Sequence, residues 1–220
     1  MKNYNIRTCR SDCDDTKIIC FDKDFNKEKL SCVLKKKIVD FFSEINLSKD
    51  AHIFIVGLGN ERHTADSVGP KVLKHIDVNY RLHGLNNNSI KVSALEPGVM
   101  ESTGISTEKI IKSVIESINP EVVILVDACI CDDVKYLDRS LIITDEGLNI
   151  GCGILELTSK LDRESLGVPV LAIGVPTAIE VNFKNSELPY LLSDKGIDIY
   201  VEDIAKVIGN SINGAISSLR

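Results

Sequence analysis

Two aspartates follow apolar segments of the chain, and together they could carry out acid–base chemistry. Asp66 belongs to the stretch "HIFIVGLGNERHTADSVGP", residues 52–70, and Asp127 comes directly after the apolar run "EVVILV", residues 121–126. If two carboxyl groups lie close together, repulsion between their charges raises one pKa, so one group keeps its proton while the other ionises. The ionised carboxylate can activate a water molecule, and the protonated carboxyl can polarise a carbonyl and protonate a leaving amine. We therefore expect Asp66 and Asp127 to form a catalytic pair.

Each candidate also has an ordinary structural interpretation. An aspartate that precedes a helix can cap it, which would account for Asp66, and Asp127 could accept hydrogen bonds from loop amides. His63 could be a base or a metal ligand, although a lone histidine in a loop usually has neither role. Cys129 would need a neighbouring base to act as a nucleophile, and the sequence indicates none.

The loop that begins Gly57-Leu58-Gly59-Asn60 allows two kinds of site. A dinucleotide site needs a third glycine in the pattern Gly-x-Gly-x-x-Gly, but Arg62 occupies that position and seven residues separate Gly59 from the expected helix. A nucleotide is therefore disfavoured. The loop could instead supply backbone N–H groups to a developing oxyanion.

The elements that would position these residues alternate between strands and helices. Continuous apolar runs predict strands at residues 17–21, 52–56, 90–95, 121–128, 140–145 and 169–175. Apolar spacings of three and four predict helices at about 26–45, 106–118 and 199–217, with another helix from Ser67 that has Pro70 in its first turn. We expect a single α/β domain over residues 1–220, with three layers and a mostly parallel sheet flanked by helices.

In an open α/β sheet, sites form beyond the carboxyl ends of the strands. Of the five predicted strands from residue 52 onward, four are followed by polar residues or carboxylates. We expect these residues to meet at one edge of the sheet, which we call the rim. Besides the aspartate pair, the expected substrate or oxyanion residues on this rim are Gly57, Gly59, Asn60, Glu96, Gly98 and Asp145.

Composition excludes several classes of partner. The net charge of −6 and the pI near 5.3 argue against nucleic acid, and no apolar run reaches the roughly 18 residues that span a bilayer. The polar N-terminus indicates no secretory signal, so we expect a cytoplasmic protein.

The seven cysteines are an odd number without zinc-module spacing, and we expect free thiols. We expect no cofactor and no metal; a bound metal would use Asp66, Asp127 and His63.

Five blocks follow one another in an order that resembles the germination protease (spore protease, GPR endopeptidase) family. They are "VGLGNERHTADSVGP" (56–70), "SALEPGVMESTGI" (93–105), "VDA" (126–128), "ITDEGLNIGCG" (143–153) and "LGVPVLAIGVPT" (166–177), and the similarity covers roughly residues 51–184 and 190–216. The resemblance implies an endopeptidase that degrades small acid-soluble spore proteins during germination, in the forespore or spore core, through two aspartates that fall on Asp66 and Asp127. It also implies a zymogen, a homo-oligomer, and a phosphorylase/hydrolase-like fold similar to the hydrogenase-maturation proteases.

Three features depart from the family pattern. The family has a long segment after Thr177 that is short here, and Glu96 stands where the family has a small residue. In the propeptide-like stretch 1–15, Cys9 replaces the expected aspartate, which puts autoprocessing in doubt. These departures indicate a short form related to small sporulation proteins that share the signature T-x-D-S-x-G-P.

Three alternatives remain at this point. One is a metal-guided peptidase of the maturation type, with Asp66, Asp127 and either His63 or Glu96 as ligands of nickel, zinc or cadmium. Another is a sporulation paralogue that is non-catalytic or has a different specificity. A peptidyl-tRNA hydrolase also begins with "GLGN", but the "TRHN" pattern of that family is absent and the acidic charge argues against tRNA.

Overall fold

A computed structural model describes residues 7–10, 17–22, 24–80, 90–150, 159–181 and 190–219. The strands are β1 (Arg7–Arg10), β2 (Lys17–Cys20), β3 (His52–Gly57), β4 (Lys91–Leu95), β5 (Val122–Cys131), β6 (Ser140–Thr144), β7 (Leu148–Ile150), β8 (Ser159–Leu161), β9 (Val170–Val181) and β10 (Tyr190–Leu192). The helices are α1 (Lys27–Glu44), α2 (Val68–Leu73), α3 (Met100–Thr103), α4 (Thr107–Ile118), α5 (Arg163–Leu166) and α6 (Ile197–Ser217), and a 3-10 turn covers Thr64–Asp66.

The main sheet has the strand order β1-β2-β6-β9-β5-β3-β4, and β10 pairs with the far end of β9. Strands β4, β3, β5 and β9 run parallel to one another, whereas β6, β2 and β1 continue the sheet with antiparallel pairing. Strands β7 and β8 form a separate two-stranded sheet. The fold is therefore α/β with a mostly parallel mixed sheet flanked by helices, which confirms the predicted class.

Strand β3 shows why the central runs are continuously apolar. Its alternate residues Ile53 and Ile55 belong to the core formed with α1, α2 and α6, while Phe54 and Val56 belong to the core formed with α4 and α5 on the opposite face. Because helices cover both faces, every position of the strand is buried. Each such side chain stabilises the fold by about 1.5–3 kcal/mol relative to an exposed one.

Helix α1 forms close to its predicted bounds. The side chain of Asn26 accepts a hydrogen bond from the N–H of Lys29 at 2.7 Å, which caps the first turn. Leu30, Leu34 and Ile38 then recur at helical spacing and are fully buried, so they form the stripe that packs on the sheet and α6.

The expectation that Asp145 lies on the rim with the aspartate pair is wrong. Strand β6 runs antiparallel to β9, with Ile142 opposite Gly174 and Thr144 opposite Ala172, so its carboxyl end points to the other edge of the sheet. Only residues 132–139 connect β5 to β6. That is shorter than the crossover of about a dozen residues or more that a parallel connection needs.

Some predictions concern residues outside the described ranges. Residues 1–6 and 11–15 of the propeptide-like stretch lie outside the described ranges. Residues 7–10 form β1, which pairs with β2. The short strand β10 lies outside the strands that the sequence predicted. Among the described residues, no helix has the length and apolar character needed to cross a membrane.

Candidate active site

Asp127 lies within a strand, one residue beyond the point where the neighbouring strand stops. Strand β3 ends with Gly57 opposite Val126, and the N–H of Leu58 donates the last bond of this ladder to the carbonyl of Val126 at 2.8 Å. The sequence predicted that this strand ends at residue 128, but β5 continues to Cys131 because β9 continues beside it and supplies a partner. The carboxyl of Asp127 therefore stands at the carboxyl edge of β3 on a continuous strand.

Burial and a like charge hold the carboxyl of Asp127 in its protonated form. The side chain is partly buried, and its removal from water is the largest cause that raises its pKa, to about 8. The negative charge of Asp66 raises the same pKa further, and a hydrogen bond from the N–H of Ala128 acts in the opposite direction. At neutral pH the protonated form of Asp127 predominates.

Asp66 lies in the 3-10 turn that leads into α2. Its N–H donates to the carbonyl of His63 at 2.8 Å, and its own carbonyl accepts from the N–H of Asn60 at 3.0 Å, so the turn is closed on both sides. Ser67, rather than Asp66, occupies the N-cap position of α2 and makes no side-chain cap bond. Helix capping therefore does not account for Asp66.

The electrostatic surroundings of Asp66 differ from those of Asp127. Burial is the largest cause that raises the pKa of Asp66, and the charge of Glu101 raises it further. A backbone hydrogen bond from Asn60 and the positive charge available on His63 lower it. His63, which the sequence left as a candidate base or ligand, thus lies close enough to Asp66 to lower the pKa of its carboxyl.

Two glycines of the first loop are required by close contacts. Gly59 has a φ of +111°, and a Cβ added there would meet the carbonyl oxygen of Asp66 at 2.0 Å and its Oδ1 at 3.1 Å. A Cβ on Gly57 would lie 2.4 Å from the carbonyl oxygen of Gly69, and one on Gly69 would lie 2.2 Å from that of Leu58. The start of α2 therefore packs directly on the end of β3, and this contact brings Asp66 to the rim.

Gly69 and Glu101 are residues that sequence reasoning missed. The motif "SVGP" was interpreted only as the start of a helix, yet Gly69 supplies the close approach that the missing third glycine of a dinucleotide loop would have supplied. Glu101 lies in α3, and its charge raises the pKa of Asp66. Glu96 is exposed at the end of β4 and acts electrostatically on Lys74.

The loop after β4 reaches the same rim because β4 is parallel to β3. Gly98 has a φ of +72°, and its carbonyl accepts a hydrogen bond from the hydroxyl of Thr107 at 3.2 Å, which ties the loop to the first turn of α4. Asn60 uses its side-chain oxygen to accept from the N–H of Arg62 at 3.1 Å. Asp145 lies at the opposite edge, in a small depression that Lys17 and Lys37 also line.

Cys129 is unsuited to nucleophilic chemistry. Burial, and after it the charge of Asp127, raise the pKa of its thiol to about 12, so the thiolate is scarce at neutral pH. In the part of the chain that the structure describes, no group of three or more His, Cys, Asp or Glu side chains is arranged to hold a metal ion. Asp66, Asp127 and the third expected ligand, His63 or Glu96, therefore do not form such a group.

The rim of this three-layer α/β protein thus contains a glycine-containing loop and two aspartates, Asp66 in a 3-10 turn and Asp127 in β5. A family model described as germination protease matches residues 15–194 of the chain. The chain is 38% identical over 176 residues to the germination protease of Bacillus subtilis (strain 168), which covers 77% of this chain and 48% of that protein. It is 35% identical over 176 residues to the germination protease of Bacillus cereus (strain G9842), with the same coverage, and 34% identical over 179 residues to that of Bacillus mycoides (strain KBAB4), covering 79% and 49%.

The chain belongs to the germination protease family. It spans about half the length of the curated relatives it matches, since 48% of the Bacillus subtilis protein is covered.

Proposed function

We propose that this protein is an endopeptidase of the germination protease type, with Asp66 and Asp127 as its catalytic pair and small acid-soluble spore proteins as its substrates. The observation that supports this most strongly is the placement of both aspartates at the end of β3, where burial and, after it, the charge of Asp66 raise the pKa of Asp127 to about 8. One carboxyl is then protonated near neutral pH, as paired acid–base catalysis requires. Its neighbour Asp66 receives a hydrogen bond from Asn60 and lies near His63, so it is the better candidate for the ionised partner.

In this mechanism Asp66 takes a proton from a water molecule as the water oxygen bonds to the peptide carbonyl carbon. Asp127 donates a hydrogen bond to the carbonyl oxygen as negative charge develops there. When the C–N bond breaks, the nitrogen takes a proton from Asp127. Transfer of the proton held by Asp66 to Asp127 then restores the starting state. The N–H groups of Leu58 and Asn60 already donate to Val126 and Asp66, so a backbone contribution to the oxyanion falls to Gly59.

Family membership also suggests the setting in which the protein acts. We propose that residues 1–220 form a single domain, and that the protein acts in the cytoplasm of the forespore or the spore core and assembles as a homo-oligomer. Its zymogen status depends on residues 1–15, where Cys9 stands at the position of the expected aspartate.

Cleavage of a purified small acid-soluble spore protein tests the proposed function. The protein is incubated with this substrate with and without a metal chelator, and the fragments are identified by mass spectrometry. We expect discrete fragments from internal cleavage, at a rate that the chelator leaves unchanged. An intact substrate would contradict the proposal. A cleavage rate that falls when the chelator is added would support the metal-guided alternative instead.

A further inference from the structure

Strand β5 has an open edge directly beside the proposed catalytic pair. On one side β9 accompanies it through Cys131, but on the other side β3 stops opposite Val126. Among the described strands, none pairs with β5 beyond Val126 on the β3 side. The backbone from Asp127 to Cys131 therefore has a strand neighbour on one side only.

The hydrogen-bond pattern shows which backbone groups face this opening. The N–H of Val123 donates to Pro169 at the start of β9, while the carbonyl of Val126 accepts from Leu58 after β3. In a parallel sheet, successive residues of a strand bond alternately to one neighbour and the other. Odd-numbered residues of β5 thus face β9, and Ala128 and Ile130 direct their backbone groups to the open side.

A register shift in this part of the sheet does not disturb that alternation. Cys129 is opposite Pro176 and Ile130 is opposite Ala178, so the extra residue, Thr177, belongs to β9. The N–H of Ala128 contributes to the hydrogen bonding of Asp127. The groups that remain for an incoming chain are the carbonyl of Ala128 and the N–H of Ile130, and the side chain of Ile130 is 40% exposed.

We propose that the substrate polypeptide binds as an added β-strand along this edge of β5. A peptide residue opposite Cys129 can donate its N–H to the carbonyl of Ala128 and accept from the N–H of Ile130, with the same spacing as a natural strand neighbour. Since Asp127 precedes Ala128 on the same strand, backbone pairing there fixes the distance from the bound peptide to the carboxyl pair. This inference rests on the proposed peptidase function and specifies its substrate class: extended, unpaired segments of polypeptide.

Strand addition at this edge requires a substrate backbone that is free to form hydrogen bonds. Main-chain hydrogen bonds supply the affinity in strand addition, and side chains alternate between the two faces of the sheet. A folded segment cannot use the edge because its own N–H and carbonyl groups are already paired. Internal cleavage would thus occur where the substrate chain is extended.

Backbone N-methylation of a substrate peptide tests the proposal. The probe is a short peptide that spans a cleavage site mapped in a small acid-soluble spore protein, together with a series in which one amide at a time is methylated. We expect kcat/KM to fall by at least about threefold where the methyl replaces the N–H that bonds to Ala128, and to change little at the residues on either side. An equal fall in kcat/KM at every methylated position would overturn the proposal that the substrate binds as an added strand.

A pair of protein variants tests the same contact from the other side. Ile130→Pro removes the N–H that faces the open edge, a position where proline is compatible with a strand, whereas Ile130→Ala shortens the side chain and keeps the N–H. We expect kcat/KM of Ile130→Pro to be about three- to tenfold below that of Ile130→Ala, with equal circular dichroism spectra. Equal kcat/KM values in two folded variants would overturn the proposal.

The outcomes separate this inference from the function on which it rests. If the wild-type protein cleaves the unmodified peptide but neither series shows the expected difference, strand addition is wrong and the peptidase function stands. If the wild-type protein cleaves neither the peptide nor the parent spore protein, both proposals are wrong.

Discussion

The negative charge of Asp66 raises the pKa of Asp127, although 61 positions separate the two residues in the chain. The relationship arises because α2 packs through Gly69 on the end of β3, which brings the preceding turn to the rim. Strand β5 carries Asp127 past that same end. Burial of Asp127 makes the effect of the neighbouring charge larger than it would be in water.

Replacement of Asp66 should lower the pKa of Asp127 without restoring its ordinary value. Asp66→Asn removes the like charge, but burial is the larger cause of the raised pKa and remains in the variant. We expect the Asp127 carboxyl, followed by carbon-13 NMR, to titrate below 8 and still above its ordinary value of 3.8. An unchanged titration in Asp66→Asn would show that the two carboxyl groups do not interact.

Asp127→Asn should increase stability, and the increase should grow with pH. The folded-state pKa of Asp127 is about 8 and its ordinary value is 3.8, so the folded protein holds a proton that the unfolded chain has lost between these values. The wild-type protein therefore loses stability as pH rises through this window, and asparagine has no proton to lose. We expect the gain in the free energy of unfolding to increase by at least about 1 kcal/mol between about pH 5 and pH 8.

The control for that measurement is Asp133→Asn. Asp133 is paired with Lys135, and this contact lowers the pKa of its carboxyl. Removal of the Asp133 carboxyl should therefore give no gain in the free energy of unfolding that increases with pH. A parallel rise in both variants would indicate a general charge effect rather than a property of Asp127.

Gly59→Ala should disrupt the rim much more than Gly104→Ala. Both glycines have positive φ, +111° and +69°, so both substitutions carry backbone strain of about 1–3 kcal/mol. Only at Gly59 does the added Cβ collide with Asp66, whereas nothing lies within 4 Å of it at Gly104. We expect Gly59→Ala alone to lose peptidase activity by more than about tenfold, as a displaced carboxyl would cause. Equal activities in the two variants would contradict the role of this contact.

Glu101→Gln should move the acid limb of the pH–rate profile. The charge of Glu101 raises the pKa of Asp66, so its removal should lower that pKa and shift the acid limb of kcat/KM to lower pH. The shift should shrink at high salt because Glu101 is exposed. Glu96→Gln is the matched control, and an equal shift in that variant would contradict the assignment to Glu101.

Local sequence patterns were sufficient to predict most of the elements and to single out two aspartates that the fold brings to one rim. The run at residues 52–56 became β3 because burial on both faces demands continuous apolar residues, and α1 followed from its apolar spacing. The direction of β6 did not follow from the sequence, because the connection between the predicted strands, residues 129–139, is nearly as long as the crossover of about a dozen residues that a parallel connection needs. The shorter connection, residues 132–139, became evident only from the structural bounds of β5 and β6.

The remaining features depend on contacts between distant segments. Strand β5 extends past residue 128 because β9 accompanies it, and no local pattern at "DACIC" reveals that partner. Gly69 matters because it meets Leu58 and Gly57 across the loop, and Glu101 matters because its charge lies near Asp66. Both effects require the three-dimensional arrangement of the rim.

The central claim is that Asp66 and Asp127 act together, and the most direct test is kcat/KM for cleavage of a small acid-soluble spore protein by single asparagine variants. We expect Asp66→Asn and Asp127→Asn each to lower kcat/KM by about 10²–10⁴-fold, because each removes one proton-transfer group. Asp145→Asn, at the opposite edge of the sheet, should remain within about twofold of the wild-type protein, as expected for a surface substitution outside the site. Wild-type kcat/KM in either rim variant would contradict the account.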